Sequence, residues 1–242
     1  MIDVSELTYR YGARLALDDL TLSLGQGLHM LLGPNGAGKS TLFSLLTQLA
    51  PCQHGEIKLL NETPSRRTMA KLGVVFQQST LDMDLTVAQN LSYYGALHGF
   101  SQSQSMNKAA PLLAHFSLTD RLHDKVRALN GGHRRRTELV RALMHSPSVL
   151  LLDEPTSGLD PKARRSLSDA VRALCEQQPL CVLWATHLIE EVDDDDDVLI
   201  LHRGKLQAHN KASTLRSLHQ HPTLAKVFAA LTTDDENTEA AR

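Results

Sequence analysis

A chain of 242 residues with 42 % apolar side chains holds enough apolar material for one large domain, or for a core carrying a subdomain. Its 25 Lys and Arg against 27 Asp and Glu leave a formal charge of -2, which provides no global attraction for nucleic acid or anionic lipid, so no nucleic-acid partner is expected. Cys52, Cys175 and Cys181 lack C-x-x-C spacing, which argues against both a disulfide framework and a zinc site; they read as small buried apolar side chains.

Two alternating segments, Ile2 to Tyr9 and Ala16 to Leu24, open the chain and predict antiparallel strands. The apolar run Gly27 to Leu32 predicts a buried strand. It leads into Gly33-Pro34-Asn35-Gly36-Ala37-Gly38-Lys39-Ser40-Thr41, which fits G-x-x-x-x-G-K-[ST], and a helix is expected from Lys39. Glycines at these positions let consecutive backbone N–H groups turn toward a phosphate. The helix N-terminus adds the positive end of its dipole, Lys39 reaches the β- and γ-phosphates, and Ser40 is placed as a Mg²⁺ ligand. The loop by itself indicates nucleoside triphosphate binding and no more.

Further strands are predicted at Gly55 to Leu60 and Leu72 to Phe76, and then 86–146 reads as helical throughout, a helical subdomain. The β pattern returns at Val149 to Asp153, Leu180 to Ala185 and Val198 to His202, with a helix from Pro161 to Gln177. This alternation predicts an α/β fold with a mostly parallel sheet covered by helices. Asp153 and Glu154 close the first of those strands, where open α/β sheets place their ligands. Asp153 is placed to hold the Mg²⁺ shell and Glu154 to orient and deprotonate an attacking water.

Arg134-Arg135-Arg136 stand at a helix start, where positive charge opposes the helix dipole. They read equally as electrostatic help at an interface and as a solvated basic turn with Arg134 paired to Glu138. The five acids Asp193 to Asp197 read as a solvated surface turn, in preference to a metal-binding or docking role, and their like charges weaken the neighbouring helix end. A helical extension is expected over 211–231 and a disordered polar tail over 232–242. The longest apolar runs, such as Val149 to Leu152, fall far short of the ~20 residues that span a bilayer. The segment Met1-Ile2-Asp3-Val4 shows no secretory pattern, so the chain is expected in the cytoplasm.

Leu129-Asn130-Gly131-Gly132-His133, ahead of the acidic strand, resembles the LSGGQ signature of ABC transporter ATP-binding subunits, and the resemblance covers residues 1 to about 210. It implies one ABC ATPase domain over 1–231. A P-loop NTPase core of about 1–85 and 147–210, with an antiparallel β subdomain, carries a helical subdomain of 86–146. ATP would be held by Tyr11, stacking on adenine, and by residues 33–41; Mg²⁺ would be held by Ser40, Gln77 and Asp153. Lys39, Gln77, Glu154 and the switch-like His187 would be catalytic. Two copies would pack head to tail, so that Asn130, Gly131, Gly132 and the contact loop ending in Asp160 serve the ATP held by the other copy. ATP would close the dimer and hydrolysis open it, driving a membrane permease coupled near the Gln77 loop. The protein would then sit peripherally on the inner face of the cell membrane.

The segment Thr223 to Thr232 is similar to the closing helix of ATPases serving drug-type and polysaccharide-type exporters with separate permeases, which makes an exporter the expectation. The run Val182 to His187, with Gly131 to Arg136, is also similar to a branch that accompanies quinoprotein alcohol oxidation. The alternatives are a soluble ABC ATPase of the cluster-assembly kind and a catalytically weak regulatory module. Asn130 stands where the family has Ser and His133 where it has Gln; the bulkier amide can still donate to a phosphate oxygen, which predicts retained but slowed turnover.

Overall fold

A computed structural model describes residues 1–233. Its contacts divide into two compact units. The first comprises Met1–Asp3, Ser23–Leu28 and Lys58–Trp184; the second comprises Val4–Leu22, His29–Ile57 and the chain from Ala185 onward.

The second unit holds most of β1 (Ile2–Tyr11) and β2 (Arg14–Leu24), joined through Gly12 and Ala13, and of β4 (His54–Leu59), which flanks β1 on its other side. The buried residues of β1 are Ile2, Val4, Leu7 and Tyr9, and those of β2 include Leu17, Leu20, Leu22 and Leu24, so each alternation slips by one residue. The slips fall at Glu6 and Asp19, whose φ values of 50° and 51° are left-handed. Each displaced amide is satisfied locally, Glu6 N–H by Thr21 Oγ1 at 2.9 Å and Asp19 N–H by Thr8 Oγ1 at 3.0 Å.

In the same unit β3 (Gly27–Leu32) runs parallel to β8 (Asp197–His202), with His29 opposite Asp197 and Leu32 opposite Ile200. Both carry unbroken apolar runs because both faces of the strand are covered, and Met30 to Leu32 and Val198 to Leu201 are fully buried. Helix α1 (Lys39–Leu46) presses Leu42, Phe43 and Leu46 into this core. At the sheet edge β9 (Lys205–Lys211) pairs antiparallel with β8. Two helices, α7 (Ala212–Leu218) and α8 (Leu224–Thr232), complete the described chain. The expected tail lies outside the described residues, except for Thr232, which ends α8, and Thr233.

The first unit holds β5 (Leu72–Val75) parallel to β6 (Val149–Asp153), with β7 (Cys181–Thr186) on the other side of β6. A short α2 (Arg66–Met69) precedes β5. Helices α3 (Val87–Leu97), α4 (Gln102–His115) and α5 (Gly131–Leu143) fill the segment expected to be helical, and α6 (Pro161–Gln177) has the predicted bounds. Their starts are fixed by side chains. Thr86 with Gln89 and Ser101 with Gln104 form capping boxes, and Asp160 caps α6 with Pro161 at its first position.

Three expectations are corrected. Of the cysteines expected to be buried, Cys52 is exposed in the loop before β4 and Cys175 is half-buried on α6, so the expectation holds for Cys181 on β7. Glu138 pairs with Arg135 at 2.7 Å, while Arg134 Nε donates to the Leu129 carbonyl at 2.9 Å. Residues three apart on a helix are neighbours as well as those four apart, so Arg135 takes Glu138, while Arg134 turns back to the carbonyl just ahead of the Asn130 cap. The acid run is a surface turn, with Asp193, Asp194 and Asp195 exposed, but it is also tied into the fold. Asp196 is buried and accepts the Asp193 N–H at 2.8 Å, Asp194 pairs with Arg216 at 2.7 Å, and Asp197 accepts from two histidines. Partners of opposite charge and backbone donors outweigh the repulsion between neighbours. Among the described residues no helix is long and apolar enough to cross a membrane.

Candidate functional site

In the second unit the loop 33–38 leaves the buried end of β3 and closes on the N-terminus of α1. Backbone crowding explains its glycines. A Cβ on Gly33 would lie 2.6 Å from the Leu201 carbonyl oxygen, and one on Gly38 2.7 Å from that of Ala16. Gly36 and Gly38 also have φ of 82° and 112°, which side chains rarely adopt. Gly38 occupies the cap position of α1 and, among the described residues, no side chain caps it, so an anion is the natural partner of that first helical turn. Lys39 is buried, and its ammonium donates to the Gly33 carbonyl at 2.5 Å and to that of Pro34 at 3.2 Å. It therefore arches back over the loop, where a phosphate would replace two neutral acceptors with charged ones. Ser40 lies exposed at the helix start, Thr41 is buried, and Asn35 is exposed on the loop.

The same unit holds Tyr11, 52 % exposed at the end of β1 and edge-on to Tyr9 at 5.0 Å between centroids. Half of its ring is available to another flat surface. His187 is exposed just past β7. The turn that presents it is pinned by Thr186, whose hydroxyl donates to Glu191 Oε2 at 2.8 Å and accepts the Leu188 N–H at 3.0 Å.

In the first unit Asp153 and Glu154 end β6, both buried, and Glu154 has φ of 46°. A left-handed glutamate stores about 1–2 kcal/mol of strain, which the surrounding structure must hold. Gln77 Nε2 donates to Glu154 Oε2 at 3.3 Å, so two of the expected catalytic residues meet directly. Sequence reasoning missed what holds Gln77 there. Arg135 donates to the Phe76 carbonyl at 2.7 Å and the Gln77 carbonyl at 2.9 Å, and to Glu138 Oε2 at 2.7 Å. Glu138 in turn accepts the Thr80 N–H at 3.1 Å. A buried arginine followed at i+3 by glutamate on one helix is the sequence signal of such an anchor, legible only once its carbonyl partners are known.

Asn130, Gly131, Gly132 and Asp160 do come together, lining a hollow of about 220 Å³ with His133 and Gly158. Asn130 Oδ1 caps α5 by accepting the His133 N–H at 2.8 Å, which turns the amide NH₂ outward. A Cβ on Gly131 would meet nothing nearer than Leu159 at 3.5 Å, and one on Gly132 nothing nearer than 3.6 Å. Among the described residues nothing therefore forbids a side chain at either position, and the bare backbone suits an approach from outside. The His133 imidazole is held below its usual pKa by burial and by Arg136 and Arg121, so this hollow carries arginine charge rather than histidine charge at neutral pH.

The family model described as ABC transporter matches residues 17–157, more than half of the chain and the stretch that holds the phosphate loop, Gln77, the Asn130 segment and the acidic pair. This chain belongs to the ABC transporter ATP-binding family. It binds ATP and hydrolyses it. Over 213 residues it is 34 % identical to the linearmycin resistance ATP-binding protein LnrL of Bacillus subtilis (strain 168), covering 86 % of this chain and 68 % of that protein. Over 196 residues it is 41 % identical to the Nod factor export ATP-binding protein I of Burkholderia orbicola (strain AU 1054), covering 79 % of this chain and 64 % of the relative. Among solved structures, an ATP-binding subunit of an ABC transporter superposes with a TM-score of 0.84 at 24 % identity, over 96 % of this chain and 100 % of the other. That likeness establishes the ABC ATPase fold.

Proposed function

We propose that this ABC ATPase powers an exporter whose membrane permease is a separate chain, and that it works as a head-to-tail pair of copies. The contact between Gln77 Nε2 and Glu154 Oε2 carries the catalytic part of this reading, because it sets an amide beside the carboxylate placed to take a proton from water. Lys39 exchanges its loop carbonyls for the β- and γ-phosphates, and the backbone of 33–38 receives the rest of the phosphate charge. His187, on its pinned turn, contacts the γ-phosphate, and Tyr11 stacks on the adenine. Glu154 accepts the water proton and Gln77 fixes the direction of attack. Ser40, Asp153 and Gln77 would each offer an oxygen, the ligand type that Mg²⁺ takes, and Mg²⁺ bound with ATP would neutralise charge on the phosphates.

The outward amide of Asn130 and the bare Gly131 and Gly132 serve the ATP of the second copy, with Asp160 beside them. Export is supported by the names of the relatives, which are a resistance protein and a Nod factor export protein. The quinoprotein-associated branch is a finer placement with the same mechanism. The test is to express the chain in its host and recover it from washed membranes. Co-purification with a multi-span partner, and loss of that partner's export on Lys39→Ala, is the expected result. A chain found free of membranes, with no multi-span partner, would instead favour the soluble cluster-assembly class.

A further inference from the structure

One cluster of side chains takes no part in the nucleotide chemistry. His29 on β3, Asp197 on β8 and His209 on β9 stand on three neighbouring strands of the second unit. Parallel register sets His29 directly opposite Asp197. On the other side His209 pairs with Leu199, two residues along from Asp197, the diagonal distance within reach of an imidazole. Asp197 Oδ2 receives both rings, His29 Nδ1 at 2.6 Å and His209 Nε2 at 2.8 Å, and the three candidate ligand atoms lie within 4.8 Å of one another.

We propose that His29, Asp197 and His209 form a zinc-binding site, with Asp197 Oδ2, His29 Nδ1 and His209 Nε2 as its three protein ligands. Cysteine count does not bear on it, since every ligand is imidazole or carboxylate. Two imidazole nitrogens and one carboxylate oxygen suit a borderline ion such as Zn²⁺ and fit Ca²⁺ or Mg²⁺ poorly, because those ions take oxygen shells. On a tetrahedral Zn²⁺ with bonds of about 2.0–2.1 Å the ligand atoms stand about 3.3 Å apart. The two hydrogen-bonded distances must therefore open by less than about 1 Å, and the two imidazole nitrogens, no more than 4.8 Å apart, must settle to the same spacing.

Access fits as well. The His29 side chain is 9 % exposed, while those of Asp197 and His209 are 31 % and 27 % exposed, so the cluster has a buried floor and an open side for the ion and a fourth, water ligand. Protons balance without a net release when both rings are neutral and Asp197 is ionised. Each ring proton moves from the ligating nitrogen to the other, leaving His29 Nε2–H and His209 Nδ1–H. Burial alone would raise the Asp197 pKa, but the hydrogen bonds from His209 and His29 outweigh it and keep the carboxylate ionised. Lys211 is opposite Asp197 in register, yet it is exposed and, among the described residues, forms no ion pair with it.

The site is separate from the phosphate loop. His29 precedes Gly33 by four residues of a strand, about 13 Å along β3, at the end away from the nucleotide. A bound ion would tie the edge strand β9 to β8 and β3.

The test is calorimetric titration of the chelator-treated full chain with Zn²⁺ alone, with neither nucleotide nor Mg²⁺ present. One ion per chain is expected, together with a rise in melting temperature. His209→Gln, on the edge strand, and Asp197→Asn, close in shape, should each weaken binding at least about tenfold and abolish the rise. X-ray absorption of the wild-type complex provides a check that needs no variant, and a shell with two imidazoles and no sulfur is expected. Failure of the wild type to bind, unchanged affinity in both variants, or a sulfur or single-imidazole shell would each overturn the assignment.

Discussion

His145 shows how much one buried side chain can couple to pH. It lies below the surface of the first unit, stacked on His98 at 4.2 Å, with Nε2 donating to the Leu72 carbonyl at 3.2 Å and Nδ1 buried without a partner among the described residues. Burial, with the adjacent His98, holds its pKa down at about 4. The folded state therefore prefers the neutral ring, and its contribution is complete above the unfolded pKa of about 6.5 and lost as pH falls toward about 4. Stability should fall by up to about 3 kcal/mol across that window, at a slope of about 1.4 kcal/mol per pH unit. Urea unfolding of His145→Gln at pH 6.5 and 4.5 should show a smaller difference than the wild type; equal differences would place the proton elsewhere. Asn130 makes a second residue-scale case. Serine is an equally good helix cap, so Asn130→Ser should leave stability within about 0.5 kcal/mol while steady-state ATP turnover rises. Turnover no faster than wild type would remove the bulk of the amide as a brake.

Between elements, Arg135 ties the start of α5 to the segment after β5, so the helix that begins at the Asn130 segment also positions Gln77. Removing it strands Glu138, which is 2 % exposed, and frees two carbonyls. Arg135→Ala should cost about 3–5 kcal/mol in urea unfolding. At temperatures where the variant is still folded, kcat should fall more than ATP affinity, because Gln77 loses its position while the phosphate loop is untouched. A fall in affinity with kcat preserved would contradict this anchoring role. The phosphate loop gives the opposite pattern. Gly38→Ala forces a side chain into φ of 112° and 2.7 Å from a carbonyl, so ATP binding itself should be lost, as read by nucleotide fluorescence titration.

Across the molecule, legibility followed local chemistry. The buried strand 27–32, the loop after it and α6 with its Asp160 cap and Pro161 were readable because apolar runs, glycine spacing and capping act over a few residues. The edge strand β9 went unread because Lys205 to Lys211 is polar and half of it faces water. Its one local sign was the turn Arg203-Gly204, with φ of 49° and 80°, the geometry of a two-residue hairpin. The partners of Asp194 and Asp197 were missed for a related reason: Arg216 and His209, which compensate them, are distant in sequence and arrive through α7 and β9. Arg135 and Glu138 were visible as residues but not as an anchor, since their partners Phe76, Gln77 and Thr80 lie about 60 positions away.

The central claim is that Glu154 is the base of an ATP-hydrolysing machine whose nucleotide is held independently by the loop around Lys39. The measurement that tests it most directly compares ATP binding and ATP hydrolysis by Glu154→Gln and the wild type under the same conditions. Hydrolysis should fall by about 100-fold or more while ATP affinity is unchanged or tighter. Hydrolysis at the wild-type rate, or loss of binding together with hydrolysis, would contradict it.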